Sequence, residues 1–459
     1  MAERYWIETL GCPKNQVDSD KLVGTLASDG LEEAGSPEEA DLVVVNTCAF
    51  IEAARQESID TVLALADVRH PGARLVVTGC MAERYQDELA AALPEVDLVA
   101  PFGASLVSPA PAGIPVSLGR KPEPSRGAEQ EQGSHGGGVP DFDLLNLPRP
   151  LASAPWAYLK VAEGCDRNCG FCAIPSFRGK QRSREADEIM AEVALLLAGG
   201  TTPSGATAPP VREIVLVAQD LASYGRDRSR PGERVKAGRS PIAGLTRAIS
   251  AQVARTRLLY LYPSGLTDEL IDAVLGTGVP YFDLSLQHVS RPHLARMRRW
   301  GDGERFLRRI ADIRAAESQA TFRSSFILGY PGETERDHDR LLEFLAEAQL
   351  DWAGFFPFSN EAGTHAADLS DQVPAALALE RLRECAELQD GITAARRDLL
   401  VGERRQVLVD APGRGRTVHE APEIDGIVHL PDDTVAGEML DVMITAAVGP
   451  DLYAVRADG

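Results

Sequence analysis

Cys165-Asp-Arg-Asn-Cys169-Gly-Phe-Cys172 places three cysteines within eight residues, in a C-x3-C-x2-C spacing. Three thiolates on one short loop can hold three irons of a cubane [4Fe–4S] cluster, which leaves the fourth iron open to a small chelating ligand. Structural zinc uses four protein ligands, usually as two separated pairs, and no second pair follows here. Three further cysteines, Cys12, Cys48 and Cys80, are spread over 69 residues, and Cys385 stands alone in a charged stretch. Seven cysteines are an odd number. Without a secretory signal they speak against a disulfide framework and for metal or redox chemistry. Cys385 reads as a small core residue.

The elements around these cysteines decide whether they can meet. RYWIETLG, DLVVVNTC and ARLVVTGC read as strands, with helical patterns at Ser19–Asp29 and Phe50–Arg69. Strands alternating with helices make a parallel sheet covered on both faces. Each of the three strands runs into a cysteine, and the carboxyl ends of parallel strands share one rim, where ligands bind. Cys12, Cys48 and Cys80 are therefore expected to converge. From Trp156 onward AYLKVAEGC, VREIVLVAQD, TRLLYLYP, YFDLSLQH, FRSSFILGYPGE and WAGFFPFS continue the rhythm, with helices such as Ser183–Ala198 and Thr334–Gln349 between them. Six βα units imply a full or partial barrel. Residues 104–150, with Gly136, Gly137 and Gly138 in succession, are rich in Pro, Gly, Ser and Glu and read as a linker. Gly199–Pro210 and Gly225–Ser240 read as surface loops. A helical stretch, Pro374–Leu400, leads to a β-rich tail at 402–459 the size of a small barrel.

The triplet, with Phe171 before its last cysteine, resembles the radical S-adenosylmethionine (SAM) superfamily. YLKVAEGCDRNCGFCAIPSFRGKQRSR, LVAQDLASYG, YFDLSLQH and RSSFILGYPGET, together with TLGCPKNQVDS, VVVNTCAF and VVTGCMAERY, are similar to its methylthiotransferases. The resemblance covers nearly the whole chain outside the linker and loops. It implies an α/β N-terminal domain with a parallel sheet (1–105), a linker (106–150), a central radical SAM partial (β/α) barrel (151–400) and a small all-β, OB-like TRAM domain (402–459). It also implies two [4Fe–4S] clusters. Cys165, Cys169 and Cys172 would hold one, whose open iron chelates SAM, so that an electron generates a 5′-deoxyadenosyl radical. Cys12, Cys48 and Cys80 would hold the second, which carries the sulfur to be inserted. No catalytic side chain beyond the cluster ligands is implied.

For SAM contacts the resemblance points to Phe171, Gln219, Asp220, Gln287, Arg323 and Gly329. Asp220 could instead cap a helix, His288 beside Gln287 could be structural, and Gly329 and Gly332 could simply make a tight turn. Arg178 and Lys180, close to the triplet, are basic candidates for positioning the target aspartate, but read more readily as solvated surface charge. In the tail, APEIDG with Glu423 and Asp425 resembles the branch of the family that modifies an aspartate of the twelfth small-subunit ribosomal protein. Those two residues are therefore candidates for substrate recognition.

Charge agrees with that branch. The chain of 459 residues has 68 acidic and 47 basic residues, a net charge of −21. Residues 1–105 carry −12 and residues 402–459 carry −6, the latter with Tyr453 as the only aromatic. Phosphate binding needs concentrated positive charge and base stacking needs aromatics. An acidic tail steers a basic ribosomal protein, free or in the small subunit, by complementary potential. The alternatives are a tRNA adenosine 2-methylthiotransferase and a non-catalytic iron–sulfur protein that binds RNA or the ribosome. No run of about 18 apolar residues suggests a membrane span, and the start of the chain does not read as a secretory signal. The expectation is a cytoplasmic monomer served by a reductant such as flavodoxin or ferredoxin and by a sulfur donor.

Overall fold

A computed structural model describes residues 2–107, 144–200, 208–228 and 240–457. Most of the expected linker, including Gly136–Gly138, lies outside the described residues, as do the middles of the loops at 199–210 and 225–240. The last linker residues are docked rather than free: Leu144 and Leu145 are buried, and buried Arg149 pairs with Asp20 and Glu192.

Five strands, β1 (Arg4–Thr9), β2 (Glu32–Glu33), β3 (Leu42–Thr47), β4 (Arg74–Gly79) and β5 (Leu98–Val99), form a sheet in the order β2-β1-β3-β4-β5. Every pairing in it is parallel. Leu42, Val43, Val44 and Val45 are fully buried, the continuous apolar run that a strand covered on both faces requires. Helices α1 (Pro13–Ser28), α2 (Glu52–Val68) and α3 (Cys80–Ala92) alternate with the strands. The first helix begins six residues before the expected Ser19. Its polar opening, Pro-Lys-Asn-Gln, hides the periodicity, while Pro13 suits a first turn whose N–H groups lack partners.

The central region runs β6 (Trp156–Lys160), β7 (Ala162–Glu163), α4 (Ile174–Arg178), β8 (Arg182–Ser183), α5 (Ala186–Ala198), β9 (Glu213–Val217), α6 (Pro241–Ser250), β10 (Arg255–Leu258), α7 (Asp268–Leu275), β11 (Tyr281–Gln287), α8 (Arg291–Arg296), α9 (Gly303–Ala316), β12 (Thr321–Leu328), α10 (Glu335–Ala348) and β13 (Trp352–Pro357). All six expected strand segments are present. They form two parallel three-stranded sheets, β10-β9-β6 and β11-β12-β13, joined by a bridge between Leu261 and Leu284. The result is an open six-stranded barrel. Alternation along the strands sorts the side chains. Phe282, Phe322 and Phe326 pack with Ile310, Leu341 and Phe344 of the surrounding helices, whereas Tyr158, Val215, Val217, Leu259, Tyr281 and Trp352 form a separate interior cluster. Thr334 starts α10 with a capping box to Asp337.

Helix α11 (Ala375–Asp398) leads to β14 (Arg404–Ala411), β15 (Arg414–Arg416), β16 (Val428–His429), β17 (Met439–Val448) and β18 (Asp451–Arg456), closed in the order β14-β15-β16-β18-β17. The segment between β15 and β16 seals the amino-terminal mouth of the open barrel. Val418, Ala421 and Ile424 join the interior cluster there. Tyr158 Oη donates to the Pro422 carbonyl at 3.0 Å and Trp352 Nε1 to the His419 carbonyl at 2.7 Å. Among the described residues, no helix is long and apolar enough to cross a membrane.

Candidate active site

The parallel sheet brings Cys12, Cys48 and Cys80 to one rim. Cys12 precedes the first turn of α1, Cys48 follows β3 directly and Cys80 opens α3. Gly11 and Gly79 both take left-handed conformations, φ 99° and 90°. A Cβ on Gly11 would stand 2.9 Å from Cys48 Cβ, and one on Gly79 would collide with the Asn46 side chain and the Thr47 backbone. Asn15 ties the rim together, donating from Nδ2 to the carbonyls of Leu10 (2.8 Å) and Thr47 (3.2 Å). Burial pushes the Cys48 thiol up to about 12, with Cys80 and Cys12 adding to it, and burial also raises Cys80. Burial acts the same way on Cys12, but Lys14, the Asn15 amide and Arg178 outweigh it and lower that thiol.

The second pocket is local. Cys165, Cys169 and Cys172 lie on the loop after β7. The Arg167 amide donates to Cys165 Sγ at 3.4 Å and Arg299 Nη1 to Cys169 Sγ at 3.3 Å. The Gly170 amide donates to the Met297 carbonyl at 2.8 Å, and a Cβ on Gly170 would meet Tyr330 Oη. Burial pushes Cys165 up to about 11 and Cys172 up to about 12. Each set offers three thiols in mutual electrostatic reach, with N–H donors aimed at sulfur, which is the environment that thiolate ligands of a cluster need. Both donor sets therefore fit a [4Fe–4S] cluster with one open iron. Such binding displaces the thiol protons.

Between the pockets lies a buried polar seam. Directly after Cys172, Ala173 and Phe177 pack into the same core as Cys80 and Met81 of the N-terminal domain. Arg178, which sequence reading takes for solvated charge, is only 4% exposed. It donates to Asp18 (2.9 Å), Glu163 (3.2 Å), Asn15 Oδ1 (3.0 Å) and Cys80 Sγ (3.0 Å). Lys160 pairs with Asp18 and, at 2.7 Å, with Glu163. Lys180 is exposed, as expected.

The expected SAM contacts divide. Gln219 and Asp220 follow β9 at the carboxyl-terminal mouth. Gln219 donates to Glu163. Asp220 stands at the start of a single 3-10 turn, Leu221–Ser223, but its side chain makes no capping bond there; it accepts from Arg167 at 2.7 Å and from Ser223 at 2.6 Å. Gln287 ends β11 at the same mouth with φ 71°, and Phe171 packs partly buried on the barrel core. Arg323 sits elsewhere. It is the third residue of β12, far below that strand's carboxyl end, and pairs with Asp283 (3.2 Å) and Asp425 (3.4 Å). Two protein carboxylates already match its charge, so it is not placed to meet the SAM carboxylate. Arg323 and Asp425 also line a cleft of about 430 Å³ beside Trp352 and Gln389.

Asp425 is already engaged within the protein. Its side chain is buried, pairs with Arg323 and accepts from Tyr281 Oη (2.6 Å) and the Ala421 amide (2.8 Å). Glu423 is exposed in the same sealing segment, at φ 62°. Gly329 and Gly332 approach protein rather than an open site: a Cβ on the first would strike Ala378 and on the second the Arg296 guanidinium. His288 is structural. Its Nδ1 accepts from the Ser290 amide at 3.1 Å, and burial lowers its pKa. His288, His293 and Glu333 bring ligand atoms within 4.8 Å, but Arg381 stands 3.4 Å from Glu333. His293 stacks edge-on against Tyr330 beneath the cysteine loop.

Sequence reading missed Asn15, Lys160, Glu163, Arg167 and Arg299. Arg167 and Arg299 stack on Tyr262, with guanidinium carbons 3.8 and 4.3 Å from the ring centre. Only the proximity of Arg167 to the triplet could have flagged it.

Residues 4–101 match the family described as Uncharacterized protein family UPF0004, residues 159–345 the Radical SAM superfamily and residues 401–456 the TRAM domain. A protein of Moorella thermoacetica named ribosomal protein uS12 methylthiotransferase RimO is 40% identical, covering 96% of each chain. Proteins of the same name from Cutibacterium acnes and Aquifex aeolicus are 39% and 37% identical, covering 98% and 97% of this chain and 97% and 95% of theirs. Among solved structures, the radical SAM methyltransferase TsrM from Kitasatospora setae, with cobalamin and a [4Fe–4S] cluster bound, aligns at a TM-score of 0.45 and 13% identity over 78% of this chain and 75% of that one.

Proposed function

The chain belongs to the RimO family of methylthiotransferases, and from that premise we propose that it adds a methylthio group to the β-carbon of an aspartate of the twelfth small-subunit ribosomal protein, giving 3-methylthioaspartate. The clusters and SAM, when bound, supply the one-electron chemistry, the sulfur and the methyl group. Cys165, Cys169 and Cys172 would hold the cluster that takes SAM at its open iron, and Cys12, Cys48 and Cys80 the second. Arg167 and Arg299 donate to sulfur or flank it, Asp220 fixes Arg167, and Gln219, Gln287 and Phe171 line the mouth where SAM would lie. Glu163 accepts from Gln219 and holds the Gly164 amide at 3.1 Å. The buried seam excludes water from between the two pockets.

The observation that carries this reading is the short span between the pockets. Cys172 and Arg178 are six residues apart, mostly helical, about 9 Å of rise, and Arg178 touches Cys80. A sulfur source and a radical source linked by one short helix and one side chain turn an encounter into a positioned step. The TRAM domain favours a protein substrate over tRNA. Of its five arginines, Arg405, Arg416 and Arg456 are already ion-paired, and its one aromatic, Tyr453, stacks on His429.

The proposed units are 1–105, 151–400 and 402–459, joined through 106–150. The protein would work as a cytoplasmic monomer, with flavodoxin or ferredoxin as reductant and a separate sulfur donor. The test offers the ribosomal protein and bulk tRNA together to the anaerobically reconstituted enzyme with SAM, a reductant and sulfide, and reads intact masses. A methylthio gain mapped to an aspartate is expected. A gain on tRNA adenosine instead overturns the substrate.

A further inference from the structure

The function above gives Arg178 no task beyond sealing the seam, yet its surroundings are unusual for a salt-bridging arginine. It comes from the radical SAM domain, on α4, yet its guanidinium is enclosed by the N-terminal domain. One end, Nη1, is held by Asp18 and Glu163 at 2.9 and 3.2 Å. The other, Nη2, reaches Asn15 Oδ1 and Cys80 Sγ, both at 3.0 Å. Its face lies 4.2 Å over the ring of Phe102. A planar guanidinium gripped at one end by two carboxylates has its other end fixed in direction. The direction chosen is toward sulfur.

The charges nearby are matched without the cysteine. Lys160 and Arg178 face Asp18 and Glu163, two against two, all buried. Sealing the domains needs no more than that. The N–H···S contact is an addition to the seal, and it falls on one of the three cysteines assigned to the second cluster. Cys12 and Cys48 receive no side-chain N–H donor among the described contacts, although Lys14 lies near Cys12. Hydrogen bonds to cluster sulfurs and positive charge beside them stabilise the reduced cluster and raise its potential.

We propose that Arg178 is a positioning residue of the second cluster: the radical SAM domain supplies it to Cys80, where its charge-assisted N–H···S bond raises the reduction potential of that cluster only when the two domains are docked. The proposal rests on the assignment of Cys12, Cys48 and Cys80 as ligands made above.

The test uses the full chain with Cys165, Cys169 and Cys172 changed to alanine, so that a single cluster of about four irons remains. In that background Arg178→Gln and Arg178→Lys are compared with Arg178 by redox titration followed by electron paramagnetic resonance. The expected result is an unchanged iron content, a midpoint potential shifted downward by Arg178→Gln and an intermediate shift for Arg178→Lys, which keeps the charge but not the fork. Arg178→Gln leaves Asp18 and Glu163 with Lys160 alone. The double variant Arg178→Gln with Asp18→Asn restores the balance if the single variant fails to fold, and because Asp18→Asn itself removes a negative charge near Cys80, its downward shift is read against Asp18→Asn alone. Full iron in the double variant with a potential and spectrum unmoved from those of Asp18→Asn overturns the role of Arg178 alone. Absence of the cluster before Arg178 is touched overturns the ligand assignment, and this role with it.

Discussion

At the amino-terminal mouth of the barrel, Glu213 is shared by Arg257 at 2.7 Å and Arg416 at 2.8 Å, and Arg416 also grips Asp410. At the carboxyl-terminal mouth, Asp18 and Glu163 are shared by Lys160 and Arg178, and Arg178 goes on to Cys80. Both networks are largely buried, both join two domains, and each brings two acids together with two bases. The lower one ends on backbone carbonyls of the sealing segment, as where Arg257 Nη1 meets Val418 at 3.2 Å. The upper one ends on sulfur. The same buried ion pairs thus serve as a plug where they terminate on backbone and reach into the proposed second cluster pocket where they terminate on Cys80. What the last hydrogen bond reaches matters more than how many precede it.

The sharpest way to break this contrast is to remove sulfur from either pocket. Cys169→Ala is expected to abolish both 5′-deoxyadenosine formation and the methylthio product. Cys48→Ala should abolish the product while SAM cleavage persists. Cleavage assays and product masses on the same samples check both, and a Cys48→Ala enzyme that still makes product would remove the second pocket from the chemistry.

Next in size comes the plug. Glu213→Gln strips the charge that Arg257 and Arg416 share and should cost about 3–5 kcal/mol of stability, read by thermal unfolding, with iron content still about eight per chain. A loss of half the iron would show that the two mouths are not independent. Burial alone would push Glu213 up, but Arg416, Arg257 and Arg255 hold it down to about 2, against an ordinary 4.5. A depressed carboxyl stabilises the fold above its unfolded pKa and loses that contribution as pH falls. Stability from this network should therefore decline between pH 4.5 and 2, and Glu213→Gln should flatten that limb.

A smaller effect separates the two pockets by the way they are built. Gly79→Ala forces a Cβ into the Asn46 side chain and the Thr47 backbone at φ 90°, a strain of about 3 kcal/mol. It should lower the melting temperature and the iron held by Cys12, Cys48 and Cys80, and spare SAM cleavage. The smallest effect belongs to Cys385, fully buried on α11 with its thiol pushed by burial up to about 12. Cys385→Ala should cost about 1 kcal/mol and leave the iron count unchanged.

The same contrast explains what could be read before the fold was known. The triplet is local, so spacing alone declared it. The convergence of Cys12, Cys48 and Cys80 needed only the parallel sheet that alternating strands and helices imply. Arg178 was illegible for the opposite reason. It sits in FRGKQRSR, where composition suggests solvated charge, and its partner Asp18 lies 160 residues earlier. Arg323 failed differently. Alternation places it inside the barrel, but nothing in the sequence says how deep along β12 it lies, and depth decides whether it meets a ligand at the top or Asp283 and Asp425 below. Asp425 became a candidate for substrate recognition through the resemblance of APEIDG alone, and nothing in that motif tells that the segment is the plug and that Asp425 pairs with Arg323 and Tyr281.

The burial of Ala173 and Phe177 in the N-terminal core also sets an order of assembly. Residues up to 107 leave the ribosome first, but their core is incomplete until Phe177 emerges, about seventy residues later. At ordinary synthesis rates that interval is roughly 4–14 s. During it the pocket of Cys12, Cys48 and Cys80 has neither its hydrophobic lid nor Arg178. The first-made cysteines thus wait for residues made much later, and the nascent chain keeps that pocket open to iron delivery until the triplet at Cys165–Cys172 has been made.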